Sequence, residues 1–243
     1  MAIPLFLAIT GQELCQGLPL PRHSAWMACH FSPYALGLTD LPPQFPPDSM
    51  LILDDRIEPT HHSPEEILSQ LLPLTKQVSS VLLDFQRRDN PLLQATAQYL
   101  SENLPCPVAV TPHYANATTG PLLLPPPPHH LPLEEYLHPW QSRPLWLELA
   151  TEATTLSITS TGCQEIPATN PATKIHHCED FHTHYQIALT ENAIHFTFHR
   201  TEEDLRSLID KAEQSGVEKT VGLYQQLWNF PEETTPSFDK EKQ

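Results

Sequence analysis

Residues 50–55 read MLILDD and residues 81–86 read VLLDFQ, so each of these two apolar runs is followed at once by an acidic residue. The aspartates Asp54 and Asp84 are 30 positions apart (84 − 54), and a helical pattern lies between them. Continuous apolar runs are typical of parallel strands that are buried on both faces. Because α/β folds carry their active sites at the C-terminal ends of such strands, the two acids indicate both a fold and the end of it to search.

The same β–α rhythm extends on both sides of these runs. Residues 63–66, SPEE, predict a helix start, since they combine a serine N-cap, an early proline and two acids that favour the helix dipole. Asn90 and Pro91 predict the start of a second helix. Apolar runs predict the strands of this series at residues 3–9, 25–31, 50–54, 81–85, 107–111 and 122–124.

The pattern changes at about residue 145. Short alternating runs over 145–150, 154–159 and 163–166 predict an antiparallel meander, and 185–198 predicts a hairpin. A helix and a strand follow the hairpin, so the β–α rhythm returns at the end.

The fold class we predict is α/β, a (β/α)8 TIM-like barrel, complete or degenerate, with an antiparallel β insertion before the last strands. It forms one domain over residues 1–230, with the insertion at about 145–190 and a disordered tail over 231–243. An open doubly wound sheet is the alternative, although the sequence contains no glycine-rich nucleotide-binding motif.

The overall composition limits the partners. The chain has 243 residues and a formal net charge of −16, which argues against nucleic acid and against an anionic membrane surface. The charge suits a neutral or cationic substrate, or it serves only solubility. No apolar run approaches the about 20 residues of a membrane helix. Five cysteines without a C-x-x-C spacing, and an apolar start without basic residues, favour a cytoplasmic protein with no signal peptide.

Polar side chains at the predicted strand ends are the candidate site. Because side chains alternate along a strand, Leu82, Asp84 and Gln86 share one face. Asp84 is the first catalytic candidate, and a structural ion pair with Arg87 or Arg88 is the alternative. Further acids and ligand-binding groups are expected to converge there; the acids are Asp54, Asp55 and Glu58, and the ligand-binding residues are Gln86, His30, Tyr114, Tyr224 and Trp228. Aromatic rings suit stacking on sugars, and Trp228, which follows the last predicted strand, is the best candidate.

Residues 79–86, SSVLLDFQ, resemble the strand-four signature of chitinase-like barrels, glycoside hydrolase family 18. In that family the strand ends in an aspartate, an aromatic residue and the catalytic glutamate. Asp84 and Phe85 match the first two, while Gln86 stands where the glutamate belongs. The earlier aspartates of the signature are Ser79 and Leu82 here. A barrel with an antiparallel insertion before its last strands is also similar to that family.

The resemblance implies a barrel that binds or hydrolyses a carbohydrate. The family's glutamate donates a proton to the leaving oxygen, and the substrate's acetamido group attacks. An amide has no titratable proton near neutral pH, so Gln86 cannot be this acid. Asp84 is then expected to orient the ligand and Gln86 to hydrogen-bond it. If hydrolysis survives, Asp54, Asp55 or Glu58 is the acid.

A histidine-rich segment, residues 175–184 (IHHCEDFHTH), contains good ligands for zinc. Its spacing matches no recognised metal pattern, so a metal-free loop is the preferred interpretation, and we assign no metal ligand and no cofactor. Two other functions stay open. One is a metal-dependent hydrolase with His and Asp ligands, and the other is a non-enzymatic scaffold.

Overall fold

The structure is a computed structural model that describes residues 3–16, 20–32, 36–38, 41–42, 44–58, 62–167 and 174–230. The predicted tail over 231–243 lies outside these residues. Within them, no helix is both long and apolar enough to cross a membrane.

The strands occur in two groups. The first group lies before residue 150 and is completed by the last strand of the chain, and the second group lies between them. They are, in chain order, β1 (Leu5–Ile9), β2 (Ser24–Phe31), β3 (Leu36–Leu38), β4 (Met50–Asp54), β5 (Ser80–Asp84), β6 (Val108–Val110), β7 (Leu122–Leu124), β8 (Leu145–Leu149), β9 (Thr154–Thr159), β10 (Gly162–Pro167), β11 (Ile175–Cys178), β12 (Thr183–Leu189), β13 (Ala193–His199) and β14 (Val217–Leu223). The helices are α1 (Gly11–Cys15), α2 (Pro64–Thr75), α3 (Pro91–Asn103), α4 (Leu133–Leu137), α5 (Glu202–Gln214) and α6 (Tyr224–Leu227), with 3-10 turns at Pro112–Ala117 and His138–Trp140.

In the described part of the chain, eight parallel strands form a closed barrel in the order β1, β2, β4, β5, β6, β7, β8 and β14. Closure follows because β1 pairs with both β2 and β14. The short strand β3 adds an antiparallel edge to β2. The predicted TIM-like barrel is therefore confirmed.

The barrel interior is filled by one face of every barrel strand. Its buried residues are Phe6, Ala8, Ala25, Met50, Ile52, Leu82, Ala109, Leu123, Trp146 and Val221. The opposite faces of the same strands pack against the helices in a larger core. Near the N-terminal ends of the strands, the ammonium of Lys219 lies 4.6 Å from the Trp146 ring centroid and donates a hydrogen bond to Ser80 at 3.1 Å. Alternation from these interior residues fixes which polar side chains point inward at the other end.

The helix starts follow the sequence signals. Ser63 caps α2 in a capping box with Glu66, and the Asn90 side chain accepts from the backbone of Leu92 and Leu93 at the start of α3. These caps satisfy amides that would otherwise lack a partner, and they mark where α2 and α3 begin. In the β–α series, α2 follows β4 and α3 follows β5.

The antiparallel insertion is a separate sheet with strand order β10, β9, β13, β12, β11. It begins at Thr154, later than the predicted residue 145, and extends to His199. Residues 145–150 were expected to open the meander, but β8 pairs in parallel with β7 and β14 as a barrel strand. The reason is burial, because β8 is covered by the barrel interior on one face and by the outer core on the other.

Candidate active site

The barrel mouth is the C-terminal end of the barrel lined by Asp54, Asp84, Gln86 and Glu148. Asp54 and Asp84 are register partners on the adjacent strands β4 and β5. Each continues the inward face of its strand, after Ile52 and Leu82 respectively. The two aspartates that end the apolar runs therefore lie side by side at the end of the barrel where α/β barrels bind their ligands.

Asp54 is held by a neighbouring arginine. Asp54 is 3% exposed, and its carboxylate accepts from Arg56 at both oxygens, at 3.0 Å from Nε to Oδ1 and 2.7 Å from Nη2 to Oδ2. A bidentate pair of this kind is a strong charge-assisted contact. A role for Asp54 as proton donor would require this pair to open.

Asp55 holds the loop that follows β5. It is buried, and its two oxygens accept from the backbone amides of Gln86 at 2.9 Å and Arg87 at 2.8 Å. The Arg87 guanidinium also donates to the Asp55 carbonyl at 3.2 Å. Asp55 therefore has a structural role, because it fixes the backbone that carries Gln86 into the mouth.

Asp84 lies near other carboxylates, Asp54 and Asp55. Burial raises the pKa of Asp84, and the charges of Asp54 and Asp55 raise it further. The Gln86 amide donates to its Oδ1 and lowers the pKa in part. Asp84 therefore retains its proton to higher pH than an ordinary aspartate.

Glu148 is a mouth residue that the sequence did not predict. It follows Trp146 on the inward face of β8, and its pKa is raised to about 7 by burial, then by the charges of Asp84 and Glu152. Strands β6 and β7 lie between β5 and β8 in the sheet, so Asp84 and Glu148 both point into the interior from strands three positions apart, and the charge of Asp84 acts on Glu148. Alternation within the run LWLEL is the signal that would have found it.

Two of the predicted ligand-binding residues belong to the core instead, which corrects their expected place. Tyr114 is 3% exposed, its ring packs edge-on against Phe85 at 5.6 Å between centroids, and its hydroxyl donates to the Arg87 carbonyl. Tyr224 is 4% exposed and packs in the outer core. Both rings are covered, so neither offers a face to a ligand.

The remaining predicted residues lie at or near the strand ends. His30 is the register partner of Asp54, and its ring lies so close to Gly37 that a Cβ there would be 2.4 Å from Nε2. Gln86 and Glu58 are exposed, and the Trp228 side chain after α6 is 56% exposed. Their roles stay predictions.

A separate cluster lies outside the mouth. His177, His184 and Asp204 each offer one atom of a kind that binds metals, and these three atoms lie within 4.8 Å of one another.

Comparison of the sequence with protein-family models and with curated proteins finds no match. Comparison of the structure with solved structures finds chitinase-like barrels. A class V chitinase from Nicotiana tobaccum, solved as a mutant with NAG4, has a TM-score of 0.63 at 9% identity, covering 95% of this chain and 97% of the chitinase.

Two bacterial enzymes are similar in the same way. A family 18 N-acetylglucosaminidase from Paenibacillus barengoltzii has a TM-score of 0.59 at 10% identity, covering 90% of this chain and 94% of that one. The Bacillus cereus spore cortex-lytic enzyme SleL has a TM-score of 0.59 at 9% identity, covering 90% and 70%. The resemblance to chitinase-like barrels predicted from residues 79–86 is therefore confirmed for the fold.

Proposed function

We propose that the barrel mouth binds a carbohydrate and that Glu148 donates a proton to the glycosidic oxygen of the bound sugar. The observation that carries this proposal is that Asp84 and Glu148 both point into the barrel mouth, with the pKa of Glu148 raised to about 7 by burial and by the charges of Asp84 and Glu152. A carboxyl group with such a pKa is partly protonated at neutral pH, which is what a general acid requires. The barrel fold shared with glycoside hydrolases supports a sugar as the ligand.

The chemistry divides between the two carboxyl groups. As the bond between the anomeric carbon and the glycosidic oxygen breaks, that oxygen takes the proton of Glu148. A water molecule supplies a hydroxyl to the anomeric carbon, and its remaining proton returns to a carboxylate of the pair. Asp84 carries the second carboxyl group, and the Gln86 amide orients it.

The amide of Gln86, which stands where the resembled family has its glutamate, is consistent with Glu148 as the acid. The acid of the resembled family would stand at position 86, where an amide cannot donate a titratable proton. Glu148 supplies a carboxyl to the same interior from β8, three strand positions from β5. Asp54 and Asp55 are less suitable acids, because their oxygens are occupied by Arg56 and by the backbone of Gln86 and Arg87.

A panel of short oligosaccharides, chito-oligosaccharides included, tests the proposal. Tryptophan fluorescence reports binding and product analysis reports cleavage in the same samples. Glu148→Gln removes the proton donor, and Glu102→Gln is the matched control, since Glu102 is exposed near the C-terminal end of α3.

We expect the unchanged protein and Glu102→Gln to bind and cleave the same sugar, and Glu148→Gln to bind it but cleave it at least about 100-fold more slowly. No saturable response to any sugar would contradict the proposed function. Cleavage by Glu148→Gln at the unchanged rate would contradict the assignment of the acid while leaving carbohydrate binding in place.

A further inference from the structure

A row of histidines crosses one face of the inserted sheet. In the register of β11, β12 and β13, His177 lies opposite His184, and His184 lies opposite His199. The ring centroids of His177 and His184 are 4.6 Å apart, and those of His184 and His199 are 5.6 Å apart. Directly opposite residues on antiparallel strands hold their Cβ atoms about 5 Å apart, a spacing at which two imidazoles can reach one ion.

The first turn of α5 brings a carboxylate to this row. Asp204 Oδ1 lies 3.0 Å from His177 Nε2, and Asp204 Oδ2 lies 2.7 Å from His184 Nδ1. Thr201 donates to Oδ2 from its backbone amide and from its hydroxyl, both at 2.8 Å. The capping box of α5 therefore fixes the carboxylate that faces the two imidazoles, as partners outside the coordination shell do in metal sites.

We propose that His177, His184 and Asp204 bind a zinc ion. Two imidazole nitrogens and one carboxylate oxygen form a donor set that zinc accepts, and a water molecule completes the tetrahedron. The His177 side chain is 43% exposed and that of His184 is 28% exposed, so an ion can enter from solvent, while Asp204 is 3% exposed and anchors the site.

The three side chains must move together slightly to hold one ion. Zinc–ligand bonds of about 2.0–2.1 Å place tetrahedral donors about 3.3 Å apart. The present contacts are 3.0 Å to Asp204 Oδ1 and 2.7 Å to Asp204 Oδ2, and the three ligand atoms lie within 4.8 Å of one another. His177 Nε2 and His184 Nδ1 would present lone pairs to the ion, and each ring would carry its proton on the other nitrogen. The ion then replaces two hydrogen bonds and joins the inserted sheet to α5. This proposal revises the expectation that the histidine-rich segment is a metal-free loop, and it is independent of the carbohydrate site.

Calorimetric titration with zinc chloride tests the site, using chelator-treated protein without a histidine tag. We expect saturable binding with a one-to-one stoichiometry. His177→Asn and His184→Asn should each weaken it at least about 100-fold, because even partners outside the shell contribute 10–100-fold to affinity. His176→Asn is the matched control, since its ring stacks on Tyr185 at 5.2 Å, on the face away from His177.

Thermal unfolding supplies a second measurement. Zinc should raise the Tm of the unchanged protein and of His176→Asn, because an ion that binds the folded state stabilises it, and it should leave the Tm of His177→Asn unchanged. His177 is partly exposed, so this variant is expected to fold even if His184→Asn does not. Absence of stoichiometric zinc binding, or an equal loss of affinity in His176→Asn, would overturn the proposal.

Discussion

Glu148 in the barrel mouth and Asp204 beside the inserted sheet are both carboxyl groups withdrawn from solvent, yet their pKa values move in opposite directions. Burial raises both. At Glu148 the next influences are the charges of Asp84 and Glu152, which raise the pKa to about 7. At Asp204 hydrogen bonds from Thr201 and His184 outweigh burial and hold the pKa below its ordinary value. The neighbours, rather than burial, decide whether a buried carboxyl group carries a proton or serves as a fixed charge.

The acids in and beside the mouth also differ in the groups that their oxygens contact. The oxygens of Asp54 and Asp55 are engaged by Arg56 and by backbone amides. Asp84 resembles Glu148, because it faces other carboxylates. The chemistry is therefore expected from Asp84 and Glu148, while Asp54 and Asp55 hold the site together.

The largest effect is expected on turnover. If Glu148 carries the proton, Glu148→Gln should lower the rate of glycoside cleavage by about 10²–10⁴-fold, the usual contribution of general acid catalysis. Activity of the unchanged protein should fall as the pH rises through about 7, since Glu148 then loses its proton. Initial rates across a pH series measure both effects, and a rate that keeps rising above neutral pH would place the acid elsewhere.

The next effect is on stability, because Glu148→Gln should stabilise the folded protein above neutral pH although it lowers the rate of cleavage. Because the folded protein keeps the Glu148 proton from the ordinary glutamate pKa of about 4.3 up to about 7, the Glu148 contribution to stability is full below about pH 4 and is lost as the pH rises through about 7. Glu148→Gln abolishes this loss, so relative to its stability at about pH 5 the variant should gain up to about 3 kcal/mol over the unchanged protein at about pH 8. Urea unfolding at both pH values gives the difference, and a gain that does not depend on pH would contradict it.

Asp204→Asn should destabilise the folded protein near neutral pH, in contrast to Glu148→Gln. It removes the charge of the carboxylate at the N3 position of the α5 capping box and so weakens the hydrogen bonds from Thr201 and His184, at a cost of about 2 kcal/mol near neutral pH. Because the folded pKa of Asp204 is lowered, its contribution is present above the ordinary aspartate pKa and is lost as the pH falls through the folded value. Unfolding free energies should therefore converge in acid, and a constant gap down to low pH would show that the charge of Asp204 is not involved.

The smallest effect is expected from Gln86→Glu. This change replaces the amide that donates to Asp84 with a carboxylate, which should cost about 1 kcal/mol at about pH 8 because Gln86 is exposed and solvent screens the new charge. Protonation in acid should remove most of this cost. Glu165→Gln, at an exposed position of β10, serves as a charge-changing control and should leave stability within about 0.5 kcal/mol.

Much of the fold could be predicted from local pattern. The apolar runs over residues 50–54 and 81–85 became β4 and β5 with Asp54 and Asp84 in register, because buried parallel strands need continuous apolar sequence. The caps at Ser63 and Asn90 marked α2 and α3 for a similar local reason. The boundary near residue 145 could not be placed, since LWLEL suits either kind of sheet until its neighbours are known.

The site was less accessible to prediction. The charge of Asp84 acts on Glu148 because the sheet curls into a barrel, and Asp204 contacts His177 and His184 because α5 packs beside the inserted sheet. Tyr114 shows a further reason why the sequence could not identify the site, because an aromatic residue at a strand end can pack against Phe85 in the core as readily as it can face a ligand. Residue types suggested the chemistry, and long-range packing decided which residues carry it.

The most direct test of this account is a titration of the Glu148 carboxyl carbon by NMR, with Glu148→Gln used to assign the signal. We expect a midpoint at about pH 7, and the Asp204 signal in the same spectra should titrate below the range of ordinary aspartates. A Glu148 midpoint near the ordinary glutamate value of about 4.3 would show that the residue is ionised at neutral pH, and it would contradict the assignment of Glu148 as the acid.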